Sequence, residues 1–349
     1  MTPKGKKLLL TGGAVTGGAI AAGTVAAIMI LNSGWFSNFA EKKVISSLDD
    51  ATGGKVTIGS FDLTLSSLTI RIHNLVLHGT EPPSAAPLAQ ISLLELRLRV
   101  FPSFTKLYRV DYLNVDGPQA NVIVFPDGKT NIPTPKPSPP SNTSGLETVV
   151  DLAVGRFTVS NGLLEFQQQK TALNVRGENL RALLLYDTKN PSYHGSLSLD
   201  PVLVKSAQQP VLPIHVNIPV SIEKDAIRIA GAKLTTQQSN ITVNASMQNL
   251  KAPVIDASLN ASVSLPEVDR TTGVELNTSA PGMPQDLTLA ARLHMDPQRI
   301  DLRSANLTLG QTTFEASGTL RDASHTNSAA NFSGHLALAQ LGELLNVKQ

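Results

Sequence analysis

The sequence contains no cysteine, so neither a disulfide framework nor a thiolate metal site is open to it. Aromatic residues make up 4% of the chain and charged residues 16%, with a formal net charge of +2. A polyanion partner requires a dense basic patch beside stacking aromatics; the lysines and arginines here are scattered, and nucleic acid is not an expected partner. Catalytic signatures are missing too, with no G-x-S-x-G elbow and no H-E-x-x-H. ATGGKVT has valine after its lysine, and PDGKTN lacks the glycine five positions before Gly128, so neither builds a phosphate cradle. His73 and His78 would point to opposite faces of one continuous strand and read as exposed strand residues rather than metal ligands. Asp49–Asp50 reads as a helix end, and Asp111 with Asp116 as strand surface. Asn-x-Ser/Thr triplets at Asn240, Asn244, Asn260, Asn277, Asn306 and Asn331 are what a solvent face of Asn, Ser and Thr produces unaided, without glycosylation. No enzyme activity, metal or cofactor is expected.

What is present is aliphatic. Hydrophobic residues account for 41% of 349, mostly Leu, Ile, Val and Ala interleaved with Thr, Ser and Asn, which favours strands. The length suits two or three units of ordinary domain size. An uncharged run from Leu8 to Leu31 follows MTPKGKK. As a helix it would reach roughly 36 Å, enough to cross a hydrocarbon core of about 30 Å. Residues 1–7 are therefore expected as a cytoplasmic tail, marked by Lys4, Lys6 and Lys7, and residues 8–31 as a transmembrane anchor, with Trp35 at the far interface. Ala19-Ile20-Ala21 resembles a cleavage site, but the apolar run continues ten residues beyond it, which favours an uncleaved anchor over a signal peptide. Gly13 and Gly17 form a GxxxG pair, a spacing that a glycine-rich segment yields by chance.

Residues 32–53 read as a short amphipathic helix, with Ser33 as cap, Phe36, Phe39, Ala40, Val44 and Leu48 on one stripe, and Gly53 as a left-handed stop. The stripe either rests on a bilayer or seals the end of a sheet, and the second is preferred. From residue 54 to 132 the period becomes two: Val56 and Ile58; Phe61, Leu63 and Leu65; Leu68, Ile70 and Ile72; Leu75 and Leu77; Leu94, Leu96 and Leu98; Val122 and Val124. These fifteen are the candidate lining of one apolar face. Each three-residue step exchanges faces, so turns, bulges or bends are expected at Gly59-Ser60, Ser66-Ser67 and His73-Asn74. The strands are expected to be antiparallel and half-buried. Residues 133–145, PTPKPSPPSNTSG, read as an extended linker between two modules. In the second, 146–349, Asn161-Gly162 is expected to form a tight hairpin turn. Helical periodicity is nearly absent after residue 51. Segments beginning at Ile227 and Ile300 repeat without a gap, pairing Ala232 with Ala305, Leu234 with Leu307, Ile241 with Phe314, Val263 with Leu336 and Leu265 with Leu338. Repeated strand units of this kind add end to end, and an ending soon after the second copy leaves a longer array open.

The order of parts resembles the AsmA/TamB-like envelope proteins, a family similar to the chorein-type bridge-like lipid-transfer proteins. The resemblance is carried by the anchor and short helix ending in TGGKVTIG, then LTLSSLTIRIHNLVLHG, PLAQISLLELRLRVFPSF, YRVDYLNVDGPQANVIVFPDGKTNIP and the low-complexity linker. It covers residues 1 to about 135, and the remainder through RFTVSNGLLEF and the repeat. It implies a bacterial inner-membrane anchor with the bulk of the chain periplasmic, and an elongated, curled antiparallel β-sheet groove that conducts phospholipid between inner and outer membranes. Phospholipid and the membrane are the implied partners. The alternatives are an assembly factor that takes an outer-membrane protein as partner, and a non-catalytic structural β-sandwich or stalk.

Overall fold

The alternating segments form strands throughout a computed structural model that describes residues 34–64, 66–100, 108–134, 145–206, 211–272, 274–321 and 327–346. The expected tail and anchor, Ser33, Leu65 and most of the proline-rich linker lie outside the described residues. The strands are β1 (Lys55–Thr57), β2 (Ser60–Thr64), β3 (Thr69–His78), β4 (Ala89–Val100), β5 (Tyr108–Val124), β6 (Arg156–Gln168), β7 (Leu173–Asp187) and β8 (Ser192–Ser206). They continue with β9 (Leu212–Glu223), β10 (Ala226–Thr235), β11 (Asn240–Gln248), β12 (Val254–Ser264), β13 (Asp286–Asp296), β14 (Arg299–Leu309), β15 (Thr312–Arg321) and β16 (Asn327–His335). Among the described residues four helices accompany them: α1 (Gly34–Thr52), α2 (Gly145–Leu152), α3 (Leu265–Thr272) and α4 (Leu338–Leu344). The last three lie where helical periodicity is nearly absent; at seven or eight residues each is too short for the helical period to stand out in sequence.

All sixteen strands belong to one curled sheet in which sequential strands are neighbours. β1 and β2 lie end to end along β3. The chain therefore advances one strand position at a time and never returns to its start, which leaves an open sheet rather than a closed barrel. With fifteen strand positions about 4.8 Å apart, the path across it is roughly 65 Å. One pairing departs from the antiparallel expectation: β5 and β6 are parallel. A parallel pair needs a crossover of a dozen or more residues, and the stretch from 125 to 155, with the proline-rich segment in it, supplies one. That segment divides the sequence but not the sheet.

The expected breaks are present as bends of different kinds. Gly59 separates β1 from β2, residues 66–68 turn with Leu68 at φ 48°, and Asn74 sits inside β3 at φ 51°. Asn161-Gly162 is a correction. It lies within β6, where Asn161 at φ 55° and two register shifts make a bulge. The same left-handed backbone that suits Asn-Gly to a hairpin turn also suits it to a bulge. A Cβ on Gly162 would stand 2.7 Å from the Leu180 Cβ, so only glycine fits there. Left-handed residues recur within the strands at Gly117 in β5, Asn179 in β7 and Gly231 in β10. Gly117 falls opposite Asn161, and Gly162 pairs with Leu180, next to Asn179. Bulged strands bend and twist more strongly, so a line of them running across neighbouring strands curls the sheet.

The repeat is larger than the sequence suggests. Displaced by 73 residues, β9–β10–β11–β12–α3 falls onto β13–β14–β15–β16–α4, with α3 beginning at Leu265 and α4 at Leu338. Equivalent pairs recur, such as Leu234↔Ile241 with Leu307↔Phe314, and so does the register shift, between Ile229 and Ala232 in one copy and Leu302 and Ala305 in the other. α1 packs against β1 and β2, as preferred above, with Val44 and Leu48 half-buried and Phe39 57% exposed. Gly53 at φ 72° donates its N–H to the Asp49 carbonyl and stops the helix.

Burial is shallow. Among the described residues only Val150, Asn131 and Thr69 have side chains that are fully buried. Close backbone approach matters more than core volume at Gly195, where an added Cβ would stand 1.8 Å from the Leu183 carbonyl oxygen. Gly195→Ala is expected to cost about 3 kcal/mol, the upper end of overpacking penalties, in chemical unfolding of the full chain. Gly128→Ala, where the added Cβ meets nothing but φ is 85°, should cost less, about 1 kcal/mol from the left-handed backbone alone.

Candidate functional site

Residues directly opposite each other in adjacent strands project to the same face, so register alone traces which side chains line up across the sheet. One such line starts at Leu63 and passes through Ile70, Leu96 and Leu113 to Phe157. It continues through Leu184, Gly195, Val220, Ile229 and Ala245. It ends with Ala257, Leu293, Leu302, Gly318 and Ala330. All fifteen positions are aliphatic, phenylalanine or glycine. None is fully buried, and all but Ala330 are half-buried. Neighbouring strands shield most of the line, and α2 adds cover at Leu113, Phe157 and Leu184.

The adjacent line, one residue along each strand and on the opposite face, is its chemical inverse. It runs from Thr64 and Thr69 through Arg97, Tyr112, Arg156 and Leu185 to His194. Ser221, Arg228, Ser246, Asp256, His294, Asp301, Thr319 and Ala329 complete it. Only Leu185 and Ala329 are apolar. On this face the Arg97 guanidinium lies 4.8 Å from the Tyr112 ring centroid, Asp256 meets His294 at 2.8 Å, and Asp301 meets Arg299 at 2.9 Å. The neighbouring Glu95 pairs with Arg71 at 3.2 Å and accepts a hydrogen bond from the Tyr112 hydroxyl. That bond, more than Arg71, holds the Glu95 carboxyl below its ordinary value of 4.5 against the opposing effect of burial.

The candidate lining residues divide among several such lines. Leu63, Ile70 and Leu96 share the first. Phe61, Ile72 and Leu94 share a second with Val115, Val159, Ala182, Leu197 and Ile218, and Leu98 faces Val110. Towards the other strand ends, Val56 and Leu77 align with Ala89, Ala120 and Leu164, while Val122 aligns with Phe166 and Val175. Leu75 faces Ile91, Val124 faces Gln168, Ile58 lies between β1 and β2, and Leu68 lies in a turn. Sequence reasoning stopped the lining at Val124. It missed Val220, Ile229, Leu293 and Leu302, although their alternation and the repeat were both visible. It also missed fully buried Asn131, whose side chain donates to the Asn121 carbonyl at 2.8 Å and accepts the Ile123 N–H at 2.9 Å. Asn131 thereby holds the PDGKTN turn against β5.

Among the described residues, cover for the apolar face comes from helices at strand ends. At one end α2 contributes Val150 to a cluster with Val154 and Tyr193, against which Leu113, Phe157 and Leu184 of the first line pack. Tyr193 secures it: its hydroxyl accepts the Val154 N–H at 2.7 Å and donates to the Val149 carbonyl at 3.3 Å, and Lys224 reaches Asp151 at 2.6 Å. At the opposite end α3 places Glu267, 6% exposed, on the hydroxyls of Thr236 and Ser239. Burial would raise the Glu267 pKa; these two hydroxyls and the Gln238 and Gln237 amides more than offset it, and the carboxyl titrates low. Among the described residues no group of three or more His, Asp or Glu is placed to hold a metal ion, and no helix is long and apolar enough to cross a membrane.

Two outcomes follow. Tyr193→Phe leaves the Val154 N–H without its acceptor and is expected to cost about 1–3 kcal/mol in chemical unfolding and to expose α2 to proteolysis first. Glu95 has a depressed folded pKa, so its contribution is complete above the ordinary value of 4.5 and fades as the pH falls through the folded value. Glu95→Gln should therefore flatten the fall in unfolding midpoint below pH 4.5 relative to the parent chain. No family model matches the chain, and no curated protein matches it.

Proposed function

We propose that this chain is a membrane-anchored, non-catalytic β-groove that holds phospholipid acyl chains along its apolar face and passes them between the inner and outer membranes of a bacterial envelope. The observation that carries this reading is the fifteen-position apolar line, continuous from the first strands to the last and half-buried at every position but Ala330, which is exposed. A structural sandwich would set a second sheet on that face; the described strands instead make one sheet, and α2 meets the line at Leu113, Phe157 and Leu184.

Acyl chains suit such a surface because each buried methylene contributes about 0.8 kcal/mol and none requires a polar partner. Leu, Ile, Val and Ala offer similar contact at every strand position, so a tail meets no deep site at which to stop. The charged line on the other face keeps the outside of the groove in water. In this reading residues 8–31 span the inner membrane, and α1, packed on β1 and β2, sets the first strands beside the bilayer with the remainder in the periplasm.

Photo-crosslinking separates the two faces. A photoreactive residue at Ile70 or Leu293, on the apolar line, should capture phospholipid in cells, whereas one at Arg71 or Arg292, on the polar side, should not. Native mass spectrometry of the detergent-extracted chain should then find phospholipid travelling with it. Equal capture from both faces, or none from either, would sink the proposal. Capture of nascent outer-membrane protein at Ile70 in place of lipid would replace it with the assembly-factor reading.

A further inference from the structure

The polar face carries a cavity that the apolar line does not use. Arg181, Ser198, Asn217 and Lys233 stand directly opposite one another on β7, β8, β9 and β10, so their side chains project to one face, the reverse of the line through Ala182, Leu197 and Ile218. With Asp200, His215 and Thr235 they line a cavity of about 360 Å³, within the usual range for a small-molecule site. The cavity has a local cause. Asn179 in β7 is left-handed, and the β8–β9 and β9–β10 pairings both shift register here, between Leu199 and Val202 and between Ile229 and Lys233. Bulges bend their strands and re-aim side chains, and three of them on neighbouring strands open a hollow.

Its positive charge is uncompensated. Among the described residues neither the Arg181 guanidinium nor the Lys233 ammonium has an ion-pair or hydrogen-bond partner. The one carboxylate in the lining, Asp200, is engaged by His215, whose Nδ1 lies 2.5 Å from its Oδ1. Other arginines of the same strands are paired, Arg176 with Glu165 and Arg228 with Glu223. Nor does the repeat impose the charge: displaced by 73 residues, the pair Asn217↔Lys233 becomes Ala290↔Asn306. The two cations belong to this place alone.

We propose that this cavity binds the phosphate group of a soluble phosphate ester. Arg181 and Lys233 are three strand spacings apart, roughly 14 Å between Cα atoms at about 4.8 Å per strand, and both line the hollow between them. A phosphate held there meets the planar Arg181 fork on two of its oxygens and the Lys233 ammonium as a point charge. The Ser198 hydroxyl and the Asn217 amide, on the two strands between, donate to the remaining oxygens. A lipid headgroup fits less well, because the apolar line that would hold its acyl chains is on the other side of the sheet. The inference stands independently of the lipid-groove reading.

Calorimetric titration of the detergent-extracted full chain with glycerol 1-phosphate, and with glycerol as the uncharged control, tests this. Saturable binding of the ester and none of glycerol is expected. Arg181→Gln and Lys233→Gln should each weaken it at least about tenfold, the loss expected for one hydrogen bond to a charged group. Lys233→Arg should retain most of the affinity, and Lys189→Gln, in the exposed turn between β7 and β8, should leave it unchanged. Arg181 and Lys233 are exposed, so their variants should unfold at the parent midpoint. No binding of the ester, or binding that neither variant weakens, would overturn the inference. So would phosphatidylglycerol retained from the same micelles by the parent chain and lost from both variants while glycerol 1-phosphate fails to bind, which would make a lipid headgroup the occupant.

Discussion

The structure depends on one constraint: backbone hydrogen bonding ties each strand to the register of its neighbour, and side chains alternate with a period of two. A residue type chosen at one position is therefore answered across the whole sheet. When leucine at position 63 is followed by isoleucine, leucine, leucine and phenylalanine on the next four strands, an apolar stripe results that no single strand could present. A slip of one residue anywhere would exchange that stripe with the line of arginine, histidine and aspartate beside it.

Register would ordinarily yield a flat, twisted sheet. The left-handed residues Asn74, Gly117, Asn161, Asn179 and Gly231 change that outcome by bending β3, β5, β6, β7 and β10 part-way along their length. The curl shields the apolar side in part, the described strands set no second sheet on it, and among the described residues few side chains are fully buried. Low aromatic content agrees with this: small branched residues pave a curved surface evenly, whereas rings would fill it. The helices secure strand ends, through Tyr193 at α2 and Glu267 at α3, and leave the middle open.

The proposed lipid groove uses the side chains of one face, and the 73-residue unit of four strands and a helix repeats that face without closing the sheet. Each added unit extends the apolar stripe and presents a new edge at its end.

Much was legible in the sequence because it is local. Alternation identified the strands, the face-exchanging steps at Gly59, Ser66 and Asn74 marked the bends, and Gly53 marked the end of α1, since each rests on a few adjacent dihedrals. The repeat was legible as well, though only part of its length, because β9 and β13 match in pattern more than in identity. What the sequence alone could not supply was pairing between distant segments. The parallel β5–β6 contact across the proline-rich segment, the bulge in place of a turn at Asn161-Gly162, the burial of Asn131 and Tyr193, and the continuity of the apolar line into the second half all required the tertiary structure. Alternation determines that a strand has two unlike faces; only the hydrogen-bonded neighbours, often far away in the chain, decide whether those faces add up to one surface.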